Sequence, residues 1–190
     1  CHTPVPGVRL VILVFDHPGD VRPVAVVVVL FDLLSSAVDK VIKRSDRNLA
    51  MVDDARIQHC HDDVMTDVDR WHEWTPSITK VTRLKGAPLA VGTRVFIRQP
   101  KLPPAFWKVS VVEPGHGFSW VSAAPGFRAI GRHYVEPSGP GGSRATLAVD
   151  YEGPLGPFWA KMMKSITERY VALEAEGLKG RSLDPAYHRG

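Results

Sequence analysis

Residues 127–175 read FRAIGRHYVEPSGPGGSRATLAVDYEGPLGPFWAKMMKSITERYVALEA. Two runs, 127–136 and 143–152, flank a Gly/Pro/Ser break, and each alternates with the period of two that marks a half-buried strand. In the second run Ala145, Leu147, Val149 and Tyr151 share one face, against Arg144, Thr146, Asp150 and Glu152. In the first, Phe127, Ala129, Gly131, His133 and Val135 oppose Arg128, Arg132 and Tyr134. Gly153–Pro154 and Gly156–Pro157 stop the strand, and Pro157 suits a first helical turn. Trp159, Met162, Met163, Ile166, Tyr170 and Leu173 then recur at helical spacing as one apolar stripe. Lys161, Lys164, Glu168, Arg169, Glu174 and Glu176 lie mostly off it, and Gly177 or Gly180 ends the helix. An antiparallel sheet followed by one amphipathic helix is an α+β arrangement in which the two apolar faces meet.

Upstream, four more strand-like runs (77–84, 92–99, 106–113 and 117–123) are separated by KGAPLAVG, QPKLPP, EPGHG and AAPG. Six short strands with hairpin-length breaks make an antiparallel meander. Alternation turns Val95, Ile97 and Gln99 inward, with Trp107, Val109 and Val111, then Phe118, Trp120 and Ser122. Before the meander, Val64, Val68 and Trp71 recur at i, i+4 and i+7, a short helix ended at Trp74 and Thr75–Pro76. Residues 9–15 and 24–31 are β-branched runs joined through DHPGD, a buried hairpin when taken locally. SSAVDKVIKR forms a short helix at most, and residues 47–63 are polar and irregular.

The inner face is large, aromatic and mostly apolar, with three polar members: Gln99, Ser122 and His133. A curved sheet against one helix carrying Met and Trp encloses either a solid core or an apolar pocket with a few polar groups, the usual form of a small-molecule site. His133 has two readings. As a core histidine it bonds Tyr151 or a backbone carbonyl, which the residues alone favour; as a pocket histidine it orients a ligand or moves a proton.

Several motifs, in order, carry a family resemblance over about residues 63–180: D-V-D-R-W-x-E-W ending at Trp74, G-x-x-L-x-V-G-x-R from Gly86 to Arg94, E-P-G-x-x-F-x-W from Glu113 to Trp120, then GRHYVEP and ITERYVALEAEGLK. They resemble the START-like (SRPBCC) superfamily, in particular its bacterial polyketide cyclase/dehydrase-like branch. The resemblance implies a helix-grip fold, a seven-stranded antiparallel sheet wrapped around a long C-terminal helix with a hydrophobic cavity between them. It places Trp107, Trp120, His133, Tyr151, Trp159 and Met163 at cavity positions, and no family-wide catalytic set carries over. Function is open, since the superfamily includes lipid and hormone carriers as well as aromatic cyclases.

The start of the chain departs from that pattern. Residues 1–62 hold eight Asp, no Glu and 13 Val, whereas residues 63–190 hold five Asp and seven Glu. Where relatives carry a first strand and an A-P-x-x-x-V-W-like helix opening, residues 50–71 read AMVDDARIQHCHDDVMTDVDRW. The chain also begins without Met. The expectation is that residues 1–62 are an upstream or frame-shifted reading. The helix-grip domain would then be residues 63–180 without its first strand, its sheet edge open. The hairpin is not expected to substitute, and 181–190 reads as a flexible tail.

Among the 190 residues, 44% are apolar, enough for one packed domain, and the longest apolar run, Val24 to Phe31, is far short of the roughly 20 residues of a membrane span. The net charge of +4 shows no clustered stripe or nucleic-acid module. Cys1 and Cys60 make no disulfide framework, and no signal peptide is visible, so a cytoplasmic setting is expected. His59-Cys60-His61-Asp62-Asp63 has ligand residue types but lacks the second separated pair of a zinc site. There is no G-x-S-x-G elbow, and the 137–143 loop is not a phosphate-binding loop. The KLPP loop at 101–104 is a rigid connection or a cavity rim.

The expected function is binding of a small hydrophobic or aromatic molecule by Gln99, Trp107, Trp120, Ser122, His133, Tyr151, Trp159 and Met163, with His133 and Gln99 fixing its polar end. The alternative is a cyclase or dehydratase with His133 as general acid/base. No metal, cofactor or nucleic-acid partner is expected.

Overall fold

The computed structural model describes residues 8–15, 24–31, 63–84, 88–137 and 143–182, the first two stretches as strand backbone only. The expected helix at 35–44, the His59–Asp62 run, both cysteines, the 138–142 loop and the tail beyond Ser182 lie outside these residues.

β1 (Val8–Phe15) and β2 (Val24–Phe31) form the hairpin. After α1 (Trp71–Trp74) come β3 (Lys80–Arg83), β4 (Arg94–Arg98), β5 (Ala105–Glu113), β6 (Gly117–Ala124), β7 (Phe127–Pro137) and β8 (Ser143–Glu152). The long helix α2 (Gly156–Ser182) follows. The sheet is antiparallel throughout, in the order β2-β1-β8-β7-β6-β5-β4-β3. The six-stranded meander and terminal helix are the α+β architecture that the alternation predicts.

The edge expected to be open is occupied: β1 pairs with β8, from Val8 opposite Tyr151 to Phe15 opposite Arg144. Strand addition is made by backbone groups and needs no family motif, so an eight-residue β-branched run suffices.

Three further expectations are corrected. The spacing of Val64, Val68 and Trp71 predicts one helix, but a break at Asp67 sets the turn at 63–66 apart from a tighter turn, Val68–Arg70, that runs directly into α1. The break leaves the Met65 carbonyl free to accept the Trp71 indole N–H at 3.0 Å. On β5 a bulge between Val109 and Val111 shifts the alternation. Val111 is therefore exposed and Val112 packs on the core instead. On α2 the buried line is Gly156, Ala160, Thr167, Tyr170, Val171, Glu174, Ala175 and Leu178, rotated from the bulky stripe read in the sequence, and Met162 is half exposed. Small residues, Gly156, Ala160 and Ala175, share this face with Tyr170, Val171 and Leu178. The helix also runs through Gly177 and Gly180, because Gly177 serves packing and not termination: a β-carbon there would lie 2.3 Å from the Trp74 carbonyl oxygen.

The core gathers around Trp71, whose ring centroid lies 5.5 Å from Trp74, 6.2 Å from Phe118, 5.3 Å from Trp120 and 5.1 Å from His133. Outside it, Glu73 accepts from Arg70 and from Arg181, joining α1 to the end of α2. The Arg70 hydrogen bond holds the Glu73 carboxyl below the usual carboxylate range. Among the described residues no helix is long and apolar enough to cross a membrane.

Candidate functional site

Strand register sets the inner residues in layers. Phe118, His133 and Leu147 form the first, Trp120, Gly131 and Val149 the second, Ser122, Ala129 and Tyr151 the third, and Ala124 with Phe127 the last. Burial falls along this axis: Phe118 and Leu147 are enclosed, whereas Ala124 is exposed and Phe127 half-buried. Along α2 the facing residues run in parallel from Glu174 through Val171, Thr167 and Met163 to Trp159. Between them lies a cavity of about 350 Å³, closed at the His133 end and open beside Phe127 and Trp159. That volume suits a small organic ligand. Phe127 stacks on Trp159 at the mouth, with centroids 4.8 Å apart.

All eight residues singled out in the sequence line this one cavity: Gln99, Trp107, Trp120, Ser122, His133, Tyr151, Trp159 and Met163. The loop carrying KLPP contributes Leu102 and Pro103 to the wall, so it is part of the rim, and the Tyr170 hydroxyl donates to the Pro100 carbonyl, tying that loop to α2.

Gly131 keeps the middle of the cavity narrow and aromatic. A β-carbon there would lie 2.3 Å from Trp120 Nε1, so the missing side chain is the space the indole occupies. Tyr151 bonds the Thr167 hydroxyl at 3.0 Å. Burial pushes the Tyr151 phenol up, partly offset by that bond, so it stays neutral at ordinary pH.

The bonds expected of a core histidine are absent at His133. Tyr151 pairs with Thr167 instead, and His133 Nδ1 is buried without a hydrogen-bond partner. The imidazole is stacked on Phe118, 4.9 Å between centroids and 13° between planes, and its Nε2 faces Glu174 Oε2 at 4.0 Å.

Glu174, grouped in the sequence with the charged residues mostly off the apolar stripe, also lines the cavity. Its position supplied the signal, since it falls seven residues after Thr167 and four after Tyr170, on the cavity side of α2. The carboxylate is buried, and Ser77 donates its hydroxyl proton to Oε1 at 2.9 Å. Ser77 Oγ also lies 2.9 Å from Thr75 Oγ1. One hydroxyl has one proton, so Thr75 must donate to Ser77 while Ser77 donates to Glu174. The residues that end α1 thus hold the carboxylate in place. Among the described residues no three His, Cys, Asp or Glu side chains converge as a metal site would require.

A curved antiparallel sheet closed over an apolar cavity by one long helix defines a helix-grip protein. The chain belongs to the family described as polyketide cyclase / dehydrase and lipid transport, whose model matches residues 62–182. Among curated proteins, none matches the chain in sequence. Solved structures share its fold. An aromatase/cyclase from a Streptomyces species superposes with a TM-score of 0.54 at 16% identity, covering 68% of this chain and 90% of that one. A START superfamily protein from Mycobacterium smegmatis does so at 0.50 and 16%, covering 63% and 87%. A norcoclaurine synthase variant from Thalictrum, in complex with a transition-state analogue, gives 0.52 and 14%, covering 68% and 87%.

Proposed function

We propose that the protein binds a small, largely apolar, ring-containing molecule in the cavity between the sheet and α2, with its polar end toward His133 and Glu174. The cavity itself carries this reading. Left as a dry void, about 350 Å³ would forfeit on the order of 8 kcal/mol of packing, as much as the whole stability of many domains. Access of water through the mouth lowers that cost, and an apolar occupant removes it. Family membership supports the same reading.

Ala129 is the place to test it, because it lies in the third layer between Ser122 and Tyr151 on a buried strand position. N-phenyl-1-naphthylamine, an apolar fluorophore, should bind the native protein saturably at one site with a blue-shifted emission. In Ala129→Phe the ring fills the third layer, and affinity should drop at least tenfold while the circular dichroism spectrum is kept. Equal binding by both proteins would place the fluorophore elsewhere and remove the proposal.

The histidine–carboxylate pair favours a second reading, a cyclase or dehydratase. There His133 moves the proton, and His133→Ala should lower turnover by about 10²–10⁴-fold. A change of less than tenfold, measured on a substrate the native protein converts, would leave binding alone.

A further inference from the structure

The closed end of the cavity has a polarity of its own. His133 and Glu174 are both buried there, and no hydrogen bond joins them across the 4.0 Å between Nε2 and Oε2. Each has one side already settled. Glu174 Oε1 is taken by Ser77. His133 Nδ1 is buried with no partner, and a proton on that nitrogen would be a donor with nothing to bond. The less costly tautomer of the neutral ring carries its proton on Nε2, leaving only a lone pair at Nδ1. The cavity end therefore offers one donor and one acceptor, side by side.

From this geometry, and resting on the binding reading above, we infer that the closed end selects a ligand hydroxyl held between His133 Nε2 and Glu174 Oε2. A single oxygen about 2.8 Å from each atom fits a 4.0 Å gap, with an angle of about 90° at the oxygen. It accepts from Nε2–H and donates to Oε2. A carbonyl or ether oxygen accepts from His133 but leaves the carboxylate without a donor. A carboxylate leaves it without a donor as well, and adds like charge beside a buried anion. Neutral alcohols and phenols are thus the matching class, and fatty-acid-type anions are excluded.

Three probes of one shape test this in the native protein by calorimetric titration: 2-naphthol, 2-methoxynaphthalene and 2-naphthoate. The expected order is 2-naphthol tightest, the ether at least tenfold weaker and the carboxylate weaker still. Glu174→Gln, checked for a native circular dichroism spectrum, should bring 2-naphthoate within about threefold of 2-naphthol, because the amide removes the negative charge and supplies a donor. Binding of 2-naphthol and the ether with equal affinity would overturn hydroxyl selection while leaving the cavity reading intact. Binding of none of the three would overturn both.

Discussion

Replacing Trp71 by Ala should lower the unfolding free energy by about 3–5 kcal/mol, the range for deleting a buried large aromatic. Trp71 is 1% exposed and contacts Trp74, Phe118, Trp120 and His133, so its loss opens a hole between α1 and the closed end of the cavity. The Met65 carbonyl also loses its donor. Against a typical domain stability of about 5–15 kcal/mol, such a loss leaves a marginal fold. The urea midpoint reports it directly. Trp71→Phe should fall between, since the ring stays while the carbonyl is left unpaired at a cost of about 1–3 kcal/mol. A loss below about 1 kcal/mol in Trp71→Ala would show that the aromatic cluster does not hold α1 to the sheet.

The second large effect reverses sign over three residues. Gly177 and Gly180 both lie in α2, where Gly→Ala ordinarily stabilises a helix by about 0.5–1 kcal/mol. At Gly180 no atom lies within 4 Å of the added carbon, and Gly180→Ala should raise the melting temperature by a few degrees. At Gly177 the carbon would fall 2.3 Å from the Trp74 carbonyl oxygen and 2.8 Å from Trp74 Cε3. Backbone cannot swing aside as a side chain does, so α2 must lift from α1. Overpacking of this kind costs about 1–3 kcal/mol, more than the propensity gain. Gly177→Ala should therefore melt lower than the native protein by about 2–8 °C. Melting of the two variants on the same side of the native value would contradict the close approach of α1 and α2.

Much of the sheet was legible from residue spacing, because strand alternation depends on the covalent period of the backbone. Residues 127–135 and 143–147 alternate in burial as their pattern states, whereas at 148–151 Ala148 and Asp150 are buried and Val149 and Tyr151 half-buried along the cavity. Alternation placed six candidate residues there, and the helical spacing placed Trp159 and Met163. What failed depended on contacts between distant elements. The bulge at Val109–Val111 breaks the period without a Gly or Pro to announce it. The buried face of α2 is chosen by how closely the helix can approach, a property of Ala160, Ala175 and Gly177 that a stripe of bulky residues conceals. Glu174 has a charged residue's usual claim to solvent until Ser77, 97 positions earlier, is brought against it. The occupied edge beside β8 was hidden because backbone pairing has no sequence motif.

The central claim is that the space between the sheet and α2 is where a ligand goes. Titrating the ¹⁵N-labelled protein with N-phenyl-1-naphthylamine tests it most directly. Saturable shifts are predicted at the indole N–H groups of Trp107, Trp120 and Trp159 and at the backbone of Ala129, Gly131 and His133, all lining the cavity. Shifts confined to Met162, Ile166 and Leu173, in the neighbouring groove between α2 and Pro100–Lys101, would contradict it.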